Sequence, residues 1–158
     1  MKLENVTLNL DTELVLNVGD PIGKTNAPRC YNKLFERLDM NAIMLPCEIK
    51  KGQLPQFLDA CHLMGIHYLC PTMPHKGDFV DLLDDVDETS RLFHSVNAIR
   101  IDENGSHGAG MDGKGAVKAI TGAGVHLDGI NALIYGAGGI SGVVAYELSC
   151  QNVKKIYI

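Results

Sequence analysis

Lys24, Thr25, Thr72, Lys76 and Asp112 lie in three loops that follow predicted strands or precede a helix: residues 19–28, 70–76 and 108–113. In an open α/β sheet, ligands sit beyond the carboxyl ends of the strands, so these loops can meet at one cleft. An ammonium and a carboxylate in such a cleft suit hydride chemistry on an alcohol. Removing hydride from a carbinol carbon requires the hydroxyl proton to leave, and returning hydride to a ketone requires its oxygen to be polarised. Lys76 can meet either need and Asp112 can orient it. By spacing alone, both also read as ordinary surface charges.

The second chemical signal is Gly136-Ala137-Gly138-Gly139 followed by Ile140 and Ser141. The apolar run Asn131–Tyr135 predicts a buried strand, and residues 140–148 predict a helix. Strand, glycine turn and helix in this order predict a dinucleotide-binding corner. The first Gly permits the turn, the next lets backbone N–H groups approach a pyrophosphate, and the helix N-terminus favours the anion. Ser141 stands where Gly or Ala is usual, and is small enough for close helix–strand packing. Residues 129–146 carry no charge and contain Gly138-x-x-x-Gly142, but the glycines would break a membrane-spanning helix near its middle.

The elements that must position these loops read as strand and helix in alternation. Strands are predicted at 14–18, 42–45 and 66–70, and helices at 28–38 and 54–64. Leu34, Phe35 and Leu38 form the inward face of the first helix. Leu54, Phe57, Leu58, Cys61 and Leu63 or Met64 form that of the second, and Gly65 stops it. Short helices are expected at 76–83 and 87–93, the latter with Asp87 and Glu88 at its N-terminus. Strands at 96–101 and 106–111 are joined by a turn containing Asn104-Gly105. A helix from Gly113 to Thr121 bridges to the glycine turn, and a last strand covers 153–158. The alternation predicts an α/β fold with a mostly parallel sheet. The expected organisation is a domain over residues 1–112, then the first β-α-β unit of a Rossmann-type domain over 113–158.

Composition narrows the function. With 158 residues, 46% of them apolar, and a net charge of −5, the chain can bury a sizeable core, and nothing in it favours nucleic acid. Residues 1–5 carry no apolar leader core. The five cysteines, Cys30, Cys47, Cys61, Cys70 and Cys150, form no C-x-x-C pair and read as reduced thiols of a cytoplasmic protein. His62 and His67 beside Cys61 and Cys70 fit no zinc spacing, so no metal is expected.

Five segments, in order and at matching intervals, resemble the shikimate dehydrogenase family over essentially the whole chain. They are Gly19–Asn32 (family G-x-P-I-x-H-S-x-S-P-x-x-H-N), Cys70–Lys76 (N-V-T-x-P-H-K), His94–Ala98 (G-A-V-N-T), Gly108–Gly115 (G-x-N-T-D-G-x-G) and Gly136–Gly139 (G-A-G-G). The resemblance implies reduction of 3-dehydroshikimate to shikimate with NADPH, the reduced form of NADP, with action on quinate or use of NAD in some members. Lys76 falls on the family's catalytic lysine and Asp112 on its partner aspartate. Thr72 and Asn97 fall on residues that bond the substrate's ring hydroxyls. Thr25 takes the place of the first carboxylate-binding serine, and Lys24 replaces a histidine with a fixed positive charge. Gly136, Ala137, Gly138, Gly139 and Ile140 fall on the cofactor loop.

Departures from the pattern cluster in the implied pocket. Ala27 replaces the second carboxylate-binding serine. Cys70, Ala98, Gly110 and Met111 stand where the family has Asn, Thr, Asn and Thr. Each removes a hydrogen-bonding group, and a bond to a charged group is worth about 1.5–3 kcal/mol. The pattern implies an intact catalytic pair with an altered substrate shell, and hence a different cyclic hydroxy acid. The family's 2′-phosphate-selecting loop would lie beyond Ile158, so the choice between NADP and NAD is not encoded in these residues. With so little chain after Gly136, a truncated chain of weak or no dehydrogenase activity is expected. An acid-binding module without cofactor and an inactive fragment are the alternatives. The strand ending at Ile158 would expose an apolar edge, and a homodimer is the expected assembly.

Overall fold

The computed structural model describes residues 8–158; the leader reading of residues 1–5 lies outside them. Strands β1 (Glu13–Gly19), β2 (Ala42–Glu48), β3 (Tyr68–Pro71), β4 (Asp85–Val86), β5 (Ala98–Asp102) and β6 (Gly105–Ala109) form one sheet, in the order β2-β1-β3-β5-β6-β4. The β1/β2, β1/β3 and β4/β6 pairs are parallel, and the β3/β5 and β5/β6 pairs antiparallel. The fold is α/β, and its sheet is mostly parallel as expected. No described helix is long and apolar enough to cross a membrane.

Helix α1 (Ala27–Arg37) starts with a proline in its first turn, where a missing N–H costs nothing. Its buried stripe is Pro28, Asn32 and Phe35. The expected Leu34 and Leu38 are exposed, and the physical reason is Asn32. Its amide donates to Met44 O at 2.9 Å and accepts from Met44 N at 2.7 Å, so a polar residue takes the inward position.

Helix α2 (Leu54–Met64) buries Leu54, Leu58 and Cys61, and Gly65 ends it at φ 66°. The next position on that stripe is Gly65 itself, which leaves Leu63 and Met64 exposed, contrary to expectation. The expected helix at 76–83 is instead a run of turns. Phe79 N bonds His75 O, Val80 N bonds Gly77 O, and Leu82 and Leu83 N both bond Phe79 O. His75 and Phe79 are both fully buried and pin the segment, so no uniform i→i−4 ladder develops.

Helix α3 (Glu88–Phe93) is capped by Asp87, whose carboxylate accepts from Ser90 N at 2.8 Å. The hairpin turn is Glu103-Asn104, because Asp102 pairs with Gly105, and Gly105 takes φ 118°.

Leu16, Val18, Leu69, Ile99 and Ile101 cover one face of the sheet and pack with α2 and Phe79. The alternate positions Val15, Met44, Tyr68, Cys70, Ala98 and Arg100 face a groove of about 710 Å³, which α1 borders through Tyr31 and Phe35. This period-two division is the pleat.

Helix α4 (Asp112–Gly122), β7 (Asn131–Leu133), α5 (Ser141–Ser149) and β8 (Lys155–Tyr157) follow. β7 and β8 pair in parallel, which makes β7-α5-β8 a β-α-β unit. Val117, Leu127 and Leu148 form a second core. Gly113 is the contact point of α4 with α5, where a Cβ would come within 2.8 Å of Val143 O and 2.7 Å of Glu147 Cγ.

Candidate active site

Strand order places the site. The chain passes from β1 to β2 on one side, then crosses to β3 on the other. The connections leaving the neighbouring strands β1 and β3 thus run to opposite sides, to β2 and to β4, and a crevice opens at the carboxyl ends of β1 and β3. The loops at those ends carry Lys24, Thr25, Thr72 and Lys76. Backbone bonds hold them together: Thr72 N donates to Val18 O at 2.8 Å, and Asp20 N to Met73 O at 3.3 Å.

Lys76 and Asp112 are 36 residues apart and meet. Lys76 Nζ donates to Asp112 Oδ2 at 2.5 Å, and both side chains are about 70% buried. Asn97 Nδ2 donates to Asp112 Oδ1, also at 2.5 Å. Met111 N donates to Asn97 Oδ1 at 2.8 Å. That last bond fixes the amide, because an N–H requires the oxygen side. Asn97 must therefore turn its own donor toward Asp112, and each carboxylate oxygen has one partner. Asp112 is also the first residue of α4, where a negative charge is favoured.

Thr25 Oγ1 donates to Asn17 Oδ1 at 2.8 Å, and Asn17 Nδ2 donates to Cys70 O at 2.8 Å. Asn17 is a residue that strand reading missed. It sits fully buried in β1 and ties the Thr25 loop to the end of β3. A polar residue within an apolar strand was the available signal. Thr72 packs its methyl on Gly19, where a Cβ would lie 2.6 Å from Thr72 Cγ2. Lys24 is exposed and has no ion-pair partner among the described residues.

Two further groups face the pair. Burial pushes the Cys70 thiol pKa up; the Lys76 charge pulls it back, and Asp112 adds to the rise. Burial also raises the Tyr31 phenol, with smaller contributions from Cys70 and Asp112. Neither group is an anion at neutral pH, so the space beside Lys76 is lined by a neutral thiol and a neutral phenol.

The glycine turn lies at the N-terminus of α5. Gly136 adopts φ 114°, which favours glycine. A Cβ at Gly136, Gly138 or Gly139 would meet nothing within 4 Å, and Ala137 and Ile140 are exposed beside them. Ser141 Oγ donates to Gly138 O at 2.6 Å, and no side chain caps the helix. Open backbone and an uncapped helix start fit an anion such as a pyrophosphate.

Residues 18–99 match the family described as "Shikimate dehydrogenase substrate binding domain". The shikimate dehydrogenase (NADP(+)) of Alkaliphilus oremlandii is 32% identical over 149 residues, covering 94% of this chain and 52% of that relative. The shikimate 5-dehydrogenase of Listeria monocytogenes, solved in complex with shikimate and NAD, superposes with a TM-score of 0.86 at 26% identity, over 94% of this chain and 52% of its own. The ligand-free 5-ketofructose reductase of Gluconobacter superposes with a TM-score of 0.85 at 25% identity, over 94% and 53%. The chain spans about half the length of the curated relatives it matches. By its matched domain and its shared fold, this chain belongs to the shikimate dehydrogenase family.

Proposed function

We propose that this chain carries the substrate-binding and proton-handling half of a nicotinamide-dependent oxidoreductase acting on a ring hydroxyl of a small cyclic hydroxy acid. The observation that carries the proposal is the Lys76–Asp112 pair at 2.5 Å with Asn97 on the other carboxylate oxygen. In the reducing direction the Lys76 ammonium polarises the ketone oxygen and supplies its proton. In the oxidising direction Lys76 receives the hydroxyl proton. Asp112 aims Lys76, and Asn97 keeps Asp112 from rotating. Thr72 and Asn97 bond ring hydroxyls, and Lys24 receives the carboxylate, which Thr25 joins by turning its one hydroxyl proton away from Asn17 Oδ1. Gly136–Ile140 with the start of α5 would hold the pyrophosphate of a nicotinamide cofactor, which would supply or accept the hydride. NADP and NAD both fit that turn. The boundary between the two functional parts falls at residues 112 and 113, where the Lys76 partner heads the helix that packs on α5.

Ala27, Cys70, Ala98, Gly110 and Met111 offer fewer hydrogen bonds than the family pattern, which supports a substrate other than shikimate. Calorimetry with shikimate, quinate, 5-ketofructose, NADP and NAD, followed by turnover with each acid or sugar, tests the reading. Binding of both an acid and a cofactor supports it. Acid alone marks a binding module, and neither marks an inactive fragment. Turnover of shikimate at the level of its relatives would overturn the altered preference.

A further inference from the structure

We propose that His75 is a positioning residue that sets Lys76 against the Thr25 loop; the importance of that placement rests on the function proposed above. His75 is fully buried beside the lysine and takes no part in the chemistry just described. Its Nε2 lies 2.7 Å from Ile49 O. A carbonyl can only accept, so Nε2 carries a proton and donates it.

Ile49 follows β2, and its own N–H donates to Gly19 O at 3.3 Å, at the end of β1. The imidazole therefore joins the Lys76 turn to the connection after β2, and through it to the strand that leads into Thr25. On its other side, His75 Nδ1 lies 3.6 Å from Asp78 Oδ2. Both atoms are buried without a hydrogen-bond partner among the described residues. Asp78 Oδ1 in turn pairs with Lys51 at 2.7 Å, and Lys50 pairs with Asp20 at 2.7 Å.

The connections after β1, β2 and β3 are thus stitched twice. The stitches at Lys50 and Lys51 are open to water and weak. The stitch at His75 is dry, where a buried donor without its acceptor is costly. His75 is therefore the member that fixes where the next residue, Lys76, leaves the backbone.

The test reads Lys76 directly. Wild-type, His75→Gln and His75→Asn chains are treated with limiting acetic anhydride. Acetylation of Lys76 is scored by mass spectrometry against the exposed Lys33 and Lys118. A Gln amide reaches the Nε2 position and can still donate to Ile49 O; an Asn amide is too short. Lys76 held by Asp112 acetylates slowly in the wild type and in H75Q, whereas in H75N it acetylates about fivefold faster, the scale of one lost hydrogen bond.

Equal rates in all three chains, or equal acceleration in both variants, overturn the proposal. If H75N does not fold, the wild type alone decides by nitrogen-edited NMR. A slowly exchanging ring proton on His75 Nε2 supports the proposal, and a ring without one refutes it. Neither measurement uses substrate or cofactor, so failure of the proposed function and failure of this inference are separately visible.

Discussion

Asp112→Asn separates the site from the scaffold. An amide has one acceptor oxygen, so Asn at position 112 can keep Asn97 or Lys76 but not both. The cost to folding is small, because the Lys76 and Asp112 side chains retain 27% and 31% exposure and water replaces part of the pair. Such an ion pair contributes up to about 1 kcal/mol, and the charge on the first residue of α4 adds about 0.3–1 kcal/mol. Together these predict a loss of about 1–2 kcal/mol of stability. A ring hydroxyl held at this pair loses a charge-assisted bond worth about 1.5–3 kcal/mol. That corresponds to roughly 10- to 150-fold weaker binding. Urea unfolding followed by far-UV circular dichroism gives the first number, and calorimetric titration with the bound acid gives the second. A folded D112N chain that binds the acid as tightly as wild type would refute the placement of the site. A stability loss well above the binding loss would make Asp112 a structural residue.

Three other outcomes follow from the packing. Gly113→Ala pushes a methyl onto Val143 O and Glu147 Cγ and should lower stability by about 1–3 kcal/mol; an unchanged melting temperature would mean that α4 and α5 sit farther apart than described. Asn32→Ala strands the buried N–H and C=O of Met44 and should cost about 2 kcal/mol or more, with Asn32→Asp recovering only the N–H bond, read from urea midpoints. For Asp87, burial raises the pKa, but bonds from Ser90, Gly110 N and Lys114 outweigh it and hold the carboxyl below its ordinary 3.8. A depressed folded pKa adds stability that is complete above the unfolded value and is lost as pH falls through the folded one. Asp87→Ala should therefore cost about 1 kcal/mol at neutral pH, with the deficit shrinking below pH 3.8; a deficit independent of pH would show that the carboxylate charge plays no part.

Most elements were legible because their signals are local. Gly65 stops α2, Asp87 caps α3, and the run before Gly136 forms β7 of the β-α-β unit. That strand ends at Leu133, however, and Leu133 and Tyr135 are exposed where a buried strand is expected, because β8 is its one partner among the described residues. One cause recurs among the misreadings. Asn17, Asn32 and His75 are polar, a residue type that by itself points to the surface, yet all three are buried. Their partners are backbone groups well away in sequence: Cys70 O for Asn17, Met44 for Asn32 and Ile49 O for His75. Leu34 and Leu38 read as inward because apolar periodicity passes over Asn32.

By itself, the sequence determined the order of the loops, the alternation of strand and helix and the glycine turn, since propensity, periodicity and motif spacing are properties of neighbouring residues, while the family resemblance singled out Lys76 and Asp112. Only the tertiary structure decided that Lys76 and Asp112 touch, that Asn97 turns its amide toward the carboxylate because Met111 N occupies its oxygen, and that His75 lies inside. A buried polar group is tolerable only where a hydrogen-bond partner meets it, and the chain supplies those partners from distant segments brought together by the sheet.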